Sequence, residues 1–266
     1  MSGTHPFRVA VALLFSLAAA ATDEGQCANG DAAGCIRAGE AYLLGRGVAA
    51  DPVRAARMFE KACNGGEVKG CYNRGVSYDI GNGVAKDKSR AASLFMKACD
   101  AGHAKGCFNA GNAAFKGQGM ARSSSRAAAL YRRACDGGFA EGCFNLAQSY
   151  DDGDGMPKHG VKALRLYEQA CDAQYPPACL NAALAYRDGT TGPKDPRRAA
   201  ALLRTACAGG PQAGLRSLNS VHTRELETGI GTNAGRSLGK SRGRTSHLTA
   251  RVSTAVRNSA MPPLNS

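Results

Sequence analysis

Two cysteines separated by seven residues, Cys63 and Cys71, recur as Cys27/Cys35, Cys99/Cys107, Cys135/Cys143 and Cys171/Cys179, each pair 36 residues after the one before. A sixth start, Cys207, falls on the same period, but its partner position holds Leu215. Between Cys27 and Ala206 the units align without insertion or deletion. A fixed period of this length predicts a solenoid, in which each unit buries its face only against its neighbours. The apolar content suits that shallow, distributed core: hydrophobic residues make up 44%, many of them alanine, and tryptophan is absent.

Each unit reads as two helices, so the expected architecture is an all-α, α/α superhelical solenoid. In the unit from Cys63 to Ala98, a first helix is expected from about Lys69 through Asp79. It is stopped by Gly81-Asn82-Gly83, because glycine accepts the left-handed conformation that ends helices. The same turn returns as Gly45-Arg46-Gly47, Gly117-Gln118-Gly119 and Gly153-Asp154-Gly155, and relaxes to Gly189-Thr190-Thr191-Gly192 in the last unit. Asp51-Pro52 and Asp195-Pro196 each put a capping acid before a first-turn proline and so start a second helix. Ala55, Met58, Phe59 and Ala62 then share one face, as do Ala91, Leu94, Phe95 and Ala98 and their counterparts.

In this frame one cysteine of each pair ends a second helix and the other opens the next first helix. Antiparallel neighbours joined by a short turn bring those ends within reach of a disulfide. The expected bridges are Cys27–Cys35, Cys63–Cys71, Cys99–Cys107, Cys135–Cys143 and Cys171–Cys179, with Cys207 left as a free thiol. Structural zinc is the competing use, but it favours two to four intervening residues and often histidine. Here the gap is seven, and His5, His103, His159, His222 and His247 keep no register. No metal and no cofactor is expected.

The flanks differ from the repeats. Residues 1–21 read as a secretory signal peptide: Arg8, an apolar run from Val9 to Leu17, then four alanines from Ala18 to Ala21. That run is short for a bilayer span, so an uncleaved anchor is the lesser reading. The solenoid is placed at 22–210, with five full repeats from Cys27, in a periplasmic or secreted protein. Residues 211–266 form a basic, low-complexity tail with 8 Lys+Arg against 2 Asp+Glu and few large apolar groups. A disordered extension and a reading-frame slip in the source sequence both account for its abrupt change of character. The net charge is +13, but the repeats mix both signs and the tail has no aromatic residue to stack on bases. Nucleic acid is therefore not the expected partner, and no membrane span remains once the signal is removed.

A two-helix unit with Gly-x-Gly, an acid, then Ala-x-x-Leu-Phe/Tyr-x-x-Ala-Cys-x-x-Gly resembles the Sel1-like, TPR-like repeat. The seven-residue cysteine gap is similar to that of the disulfide-rich Helicobacter cysteine-rich proteins of that family. The resemblance covers Cys27 to Cys207. It implies a groove that holds a protein or peptide partner, and, through a β-lactamase or penicillin-binding label attached to family members, a β-lactam or cell-wall peptide as ligand.

The β-lactamase-like alternative needs a Ser-x-x-Lys nucleophile, and the chain has one match, Ser237 to Lys240. It lies in the tail, with no Ser-Asp-Asn or Lys-Thr-Gly to complete a site, so no catalytic residue is assigned. Asp151, Asp152 and Asp154 lack the rest of a calcium loop. One repeated polar position stands out: Arg37, Asn73, Asn109, Asn145 and Asn181, two residues after each second cysteine. Asn73 lies about 200° around the helix from Cys71, so the asparagines Asn73, Asn109, Asn145 and Asn181 are the candidate ligand-binding row. The competing reading is that they bond to a neighbouring helix or turn.

Overall fold

The computed structural model describes residues 22–208, apart from the side chains of Cys207 and Ala208. The signal-peptide and tail readings, Ser237, Lys240 and the Cys207 thiol lie outside the described residues. Among those described, all regular structure is helical. A helix over 22–28 (α1) carries Cys27. Five hairpins follow: α2 (Ala32–Leu44) with α3 (Pro52–Asn64), α4 (Val68–Ile80) with α5 (Lys88–Asp100), α6 (Ala104–Lys116) with α7 (Ser124–Asp136), α8 (Ala140–Asp152) with α9 (Gly160–Asp172), and α10 (Pro176–Asp188) with α11 (Pro196–Ala208). Each helix packs on the one before and the one after it, and more weakly on the next but one, as a superhelical stack of hairpins does.

Local chemistry sets the helix ends. Every first helix stops at a left-handed glycine: Gly45, Gly81, Gly117, Gly153 and, in the relaxed last turn, Gly189. Each second helix starts on a side chain that accepts a first-turn N–H. Asp51 takes that of Arg54 at 3.0 Å, Asp87 that of Arg90 at 2.9 Å, Ser123 that of Arg126 at 3.2 Å and Asp195 that of Arg198 at 2.9 Å. His159 stands at the same place in the fourth hairpin, where its Nδ1 accepts from Lys162. The backbone N–H of each of these caps also donates to the carbonyl of Tyr42, Tyr78, Ala114, Tyr150 or Tyr186, at 2.8–2.9 Å. That bond brings the start of each second helix against the end of its first.

The core is a row of alanines and single rings. Ala55, Met58, Phe59 and Ala62 are buried together, as are Ala127, Leu130, Tyr131 and Ala134. Leu94 and Leu166 are only half-buried in the corresponding rows. The rings of Phe59, Phe95 and Tyr131 lie over Gly39, Gly75 and Gly111, where a Cβ would fall within 2.8 Å of the ring. Five disulfides close the joints between hairpins: Cys27–Cys35, Cys63–Cys71, Cys99–Cys107, Cys135–Cys143 and Cys171–Cys179, with S–S distances of 1.96–2.05 Å. All ten sulfurs belong to buried residues.

Arg74 breaks the pattern of this core. Its register is filled elsewhere by Ala38, Ala110, Leu146 and Ala182, all buried. Arg74 is 7% exposed, and its Nε and Nη1 have no hydrogen-bond partner. Its Nη2 donates to the Tyr78 hydroxyl at 3.1 Å and lies 3.5 Å from Glu60.

Candidate functional site

The row of first helices carries two parallel tracks of side chains. The residue after each second cysteine is aromatic in the central units: Tyr72, Phe108 and Phe144. Each ring touches its own unit's second helix, through Tyr72–Phe95, Phe108–Tyr131 and Phe144–Tyr167, with centroids 5.9, 6.1 and 5.7 Å apart. Each also meets the residue that begins the next first helix, through Tyr72–His103, Phe108–Phe139 and Phe144–Tyr175, at 4.6, 5.1 and 5.2 Å. Offset and edge-on pairs of this kind add about 0.5–1.5 kcal/mol beyond the area they bury. Each central unit thus forms a three-ring cluster that reaches across one hairpin joint. Tyr72, Phe108, His103, Phe139 and Tyr175 are half-buried, and Phe144 is buried.

The second track is the asparagine row, one residue further along. Asn73, Asn109, Asn145 and Asn181 are half-buried rather than turned fully to solvent. Three of the amides stand beside tyrosine hydroxyls whose pKa they lower: Asn109 beside Tyr72, Asn145 beside Tyr131 and Asn181 beside Tyr167. The Asn145 Nδ2 also reaches Asn112 Oδ1 at 3.4 Å, and that oxygen accepts from the Tyr131 hydroxyl at 2.8 Å. The second-helix ring preceding Asn73 is Phe59 and that preceding Asn109 is Phe95, neither of which carries a hydroxyl. Asn109 turns instead to Tyr72 of the preceding first helix. The bond from Asn145 to Asn112 ties one of these amides to the neighbouring first helix. An asparagine amide has two N–H donors and a carbonyl, so one such bond leaves the rest of its capacity along the track. Arg37, in the same register of the first hairpin, is exposed and bonds to Asp23, Gln26 and Asp31.

Burial shapes the titration of this region. It pushes Tyr131 up to about 12, with Asn145 pulling slightly the other way, and Tyr175 up to about 12 with help from the nearby Glu141 charge. Tyr167 is raised further, chiefly by burial and then by Asp151. Burial, then Lys105 and Lys69, pull His103 below the usual imidazole range. His103 Nδ1 accepts the Gly106 N–H at 3.1 Å and so caps α6. The charge beside the track changes sign at the third of these units: Lys69, paired with Glu40 at 2.6 Å, then Lys105, 6.0 Å from the Phe139 centroid, then Glu141.

The asparagine row was visible in the sequence; the aromatic row beside it was missed. Its signal was available, since Tyr72, Phe108 and Phe144 directly follow Cys71, Cys107 and Cys143. A second repeated feature is part of the turn motif itself, a tyrosine near the end of four of the five first helices: Tyr42, Tyr78, Tyr150 and Tyr186. An Arg or Lys follows each by 12 residues: Arg54, Arg90, Lys162 and Arg198. Among the described residues, no group of three or more His, Cys, Asp or Glu side chains is placed to hold a metal ion. Asp151 accepts from the Tyr167 hydroxyl at 3.4 Å.

These features define a class, an α/α solenoid of disulfide-closed hairpins, the kind of scaffold that generally serves protein interaction. The chain belongs to the Sel1 repeat family. Its model matches five consecutive times, at 32–67, 68–103, 104–139, 140–175 and 176–211, which is more than half of the chain. No curated protein sequence matches the chain.

Solved structures with the same fold include c5321, a protective antigen of uropathogenic Escherichia coli, with a TM-score of 0.70 and 23% identity over 79% of this chain. The match spans 45% of c5321, so the chain corresponds to under half the length of that protein. A Sel1 repeat protein from Oxalobacter formigenes gives a TM-score of 0.66 and 24% identity, over 74% of this chain and 90% of its own. Cysteine rich protein B of Helicobacter pylori matches at 27% identity and a TM-score of 0.41, over 49% of this chain and 93% of its own.

Proposed function

We propose that the chain is an exported, non-catalytic scaffold that holds an extended segment of a protein or peptide partner along the concave face of its first-helix row. The observation that carries this reading is the pairing of the two tracks. Half-buried rings such as Tyr72, Phe108, Phe139 and Tyr175 offer apolar contact through the central repeats. Beside them, half-buried amides that stand next to tyrosine hydroxyls can donate to and accept from a peptide backbone without fixing its sequence. Preorganisation of that kind lowers the ordering cost of binding. A cell-wall peptide falls within this ligand class.

Five disulfides support an oxidising compartment, and with the signal-like 1–21 stretch they support the periplasm or secretion. Among the described residues no helix is long and apolar enough to cross a membrane.

The test compares partner capture from an envelope fraction by the wild type and by an Asn109→Ala/Asn145→Ala variant, with melting followed in parallel. Capture is expected to fall at least tenfold while the melting temperature drops by only a few degrees. A loss of stability in proportion to the loss of capture would make the amides purely structural. Incubation with a chromogenic cephalosporin is expected to give no turnover; measurable turnover would turn the reading toward a hydrolase.

A further inference from the structure

A repeated cluster on the turn edge of the hairpins is complete in three units and lacks its acid in the fourth. In the first hairpin, Tyr42 near the end of α2 donates its hydroxyl to Glu24 Oε2 at 2.5 Å and accepts from Arg54 Nη1 at 3.3 Å. In the fifth, Tyr186 donates to Glu168 Oε1 at 2.8 Å, and Arg198 Nη2 reaches the same oxygen at 2.7 Å. The second hairpin has Tyr78 and Arg90 in the same registers, with Glu60 on the preceding helix α3 and Arg74 placed between the acid and the ring. The rule is a carboxylate 18 residues before the tyrosine and a cation 12 residues after it.

The fourth hairpin keeps the tyrosine and the cation, as Tyr150 and Lys162, but the preceding helix α7 presents Arg132 where the equivalent helices present glutamate. Arg132 Nη2 donates to the Tyr150 hydroxyl at 2.8 Å, and Lys162 Nζ stands 5.6 Å from the ring centroid. Among the described residues, neither Arg132 nor Lys162 forms an ion pair. Both are exposed, and Tyr150 is half-buried between them. A hydroxyl that accepts from a guanidinium has its own proton left to donate, and the guanidinium has further N–H groups in its fixed fork. The three groups reproduce the surroundings of Glu24 and Glu168, with the carboxylate itself removed and the positive charge doubled.

We propose that Arg132, Tyr150 and Lys162 form a binding site for a carboxylate supplied by another molecule, an acidic segment of a peptide or protein partner. The chemistry is that of a charge-assisted, forked contact to a planar anion, with a hydroxyl as third donor. The chain itself shows which anion fits, because two sister units hold a carboxylate oxygen on the same hydroxyl and a third keeps a glutamate in the same register. The site lies at the turn edge and does not depend on the aromatic and asparagine tracks. It makes the fourth repeat the one that chooses acidic partners.

The internal repeats also supply the test. Arg132→Glu restores on α7 the residue that α1, α3 and α9 carry in the same register, as Glu24, Glu60 and Glu168, so it is expected to fold and melt at least as well as the wild type. Binding is followed by fluorescence anisotropy at low ionic strength, using a labelled Ala-Glu-Ala-Glu-Ala peptide with an amidated end. A glutamine counterpart and an all-alanine peptide with a free C-terminus separate side-chain from terminal carboxylates. The wild type is expected to bind at least one of the two carboxylate peptides and not the glutamine peptide, with affinity falling at least tenfold in Arg132→Glu. Lys97→Glu makes the same charge change on an exposed residue of α5 and is expected to leave binding within twofold. Glu168→Arg should open a second site beside Tyr186 and raise the stoichiometry. Equal binding by the wild type and Arg132→Glu, equal losses in both charge-reversed variants, or no saturable binding by the wild type would each overturn the proposal.

Discussion

Gly119 faces the carbonyl oxygen of Lys88 so closely that a Cβ on the glycine would fall 2.0 Å from it. The same approach brings Gly83 to Pro52 and Gly155 to Ser124, so the second glycine of each turn seats against the first residue of the preceding second helix. In the last unit that glycine is replaced by Thr191, and the residue it meets is Gly160, where an added Cβ would fall 3.0 Å from the threonine methyl. At the three earlier contacts a Cβ would meet backbone atoms, and Thr191 does not share the left-handed φ of Gly83, Gly119 and Gly155.

Gly119→Ala is therefore expected to destabilise the protein by about 2–4 kcal/mol, since it adds a clash with backbone to a left-handed φ of +74°. Thermal unfolding would measure this. Thr191→Gly, which only empties space at the fifth joint, is expected to change stability by less than about 1 kcal/mol. Equal effects at the two positions would refute the account of the joint.

Arg74→Leu is expected to stabilise. The position is a core position, Leu146 fills it in the fourth hairpin, and two guanidinium nitrogens of Arg74 are buried without partners. Replacing such a charge with a well-packed apolar side chain is neutral or stabilising by about 1–4 kcal/mol in comparable cases. A denaturant midpoint that moves downward would show that the arginine contributes more than its visible bonds.

High pH is expected to loosen the stack. Tyr131 and Tyr175 are pushed up to about 12 by burial, and Tyr167 is raised as well. Above the ordinary tyrosine value near 10 the unfolded chain loses protons that the folded chain retains. Stability is therefore full below about pH 10 and declines from there through pH 12. Tyr131→Phe, which copies Phe95 in the same register, should reduce the slope in melts across pH 9–12; an unchanged slope would place the proton loss elsewhere.

Removing one staple should act locally. Cys135→Ser with Cys143→Ser opens a loop of the size for which the chain-entropy model gives about 2–3 kcal/mol. Because repeats contact only their neighbours, amide exchange should accelerate most in α7 and α8. Uniform acceleration from α2 to α11 would indicate a single cooperative unit instead.

Much of this architecture can be read from the chain itself. The period, the left-handed glycines and the caps at Asp51 and Asp195 are local signals, and local signals repeat faithfully. What stayed hidden depends on contacts between units. The second glycine of each turn reads as part of helix termination, yet its tightest constraint is clearance for the helix before it. The asparagines read as facing away from the core, yet their amides meet hydroxyls on other helices, because Tyr131 and Tyr167 stand where other units carry phenylalanine. Arg132 looks like an ordinary surface arginine until it is set beside Glu24, Glu60 and Glu168.

The placement of the sulfur bridges also determines what a protease can accomplish. Residues 64–70 lie inside the ring closed by Cys63 and Cys71, so a nick there leaves both fragments tethered and migrating as one species until a reductant is added. Residues 81–87 lie between rings, and a nick there leaves no covalent link across it among the described residues. A cleaved molecule would thus reveal, by whether it separates without reductant, which kind of bend the enzyme found.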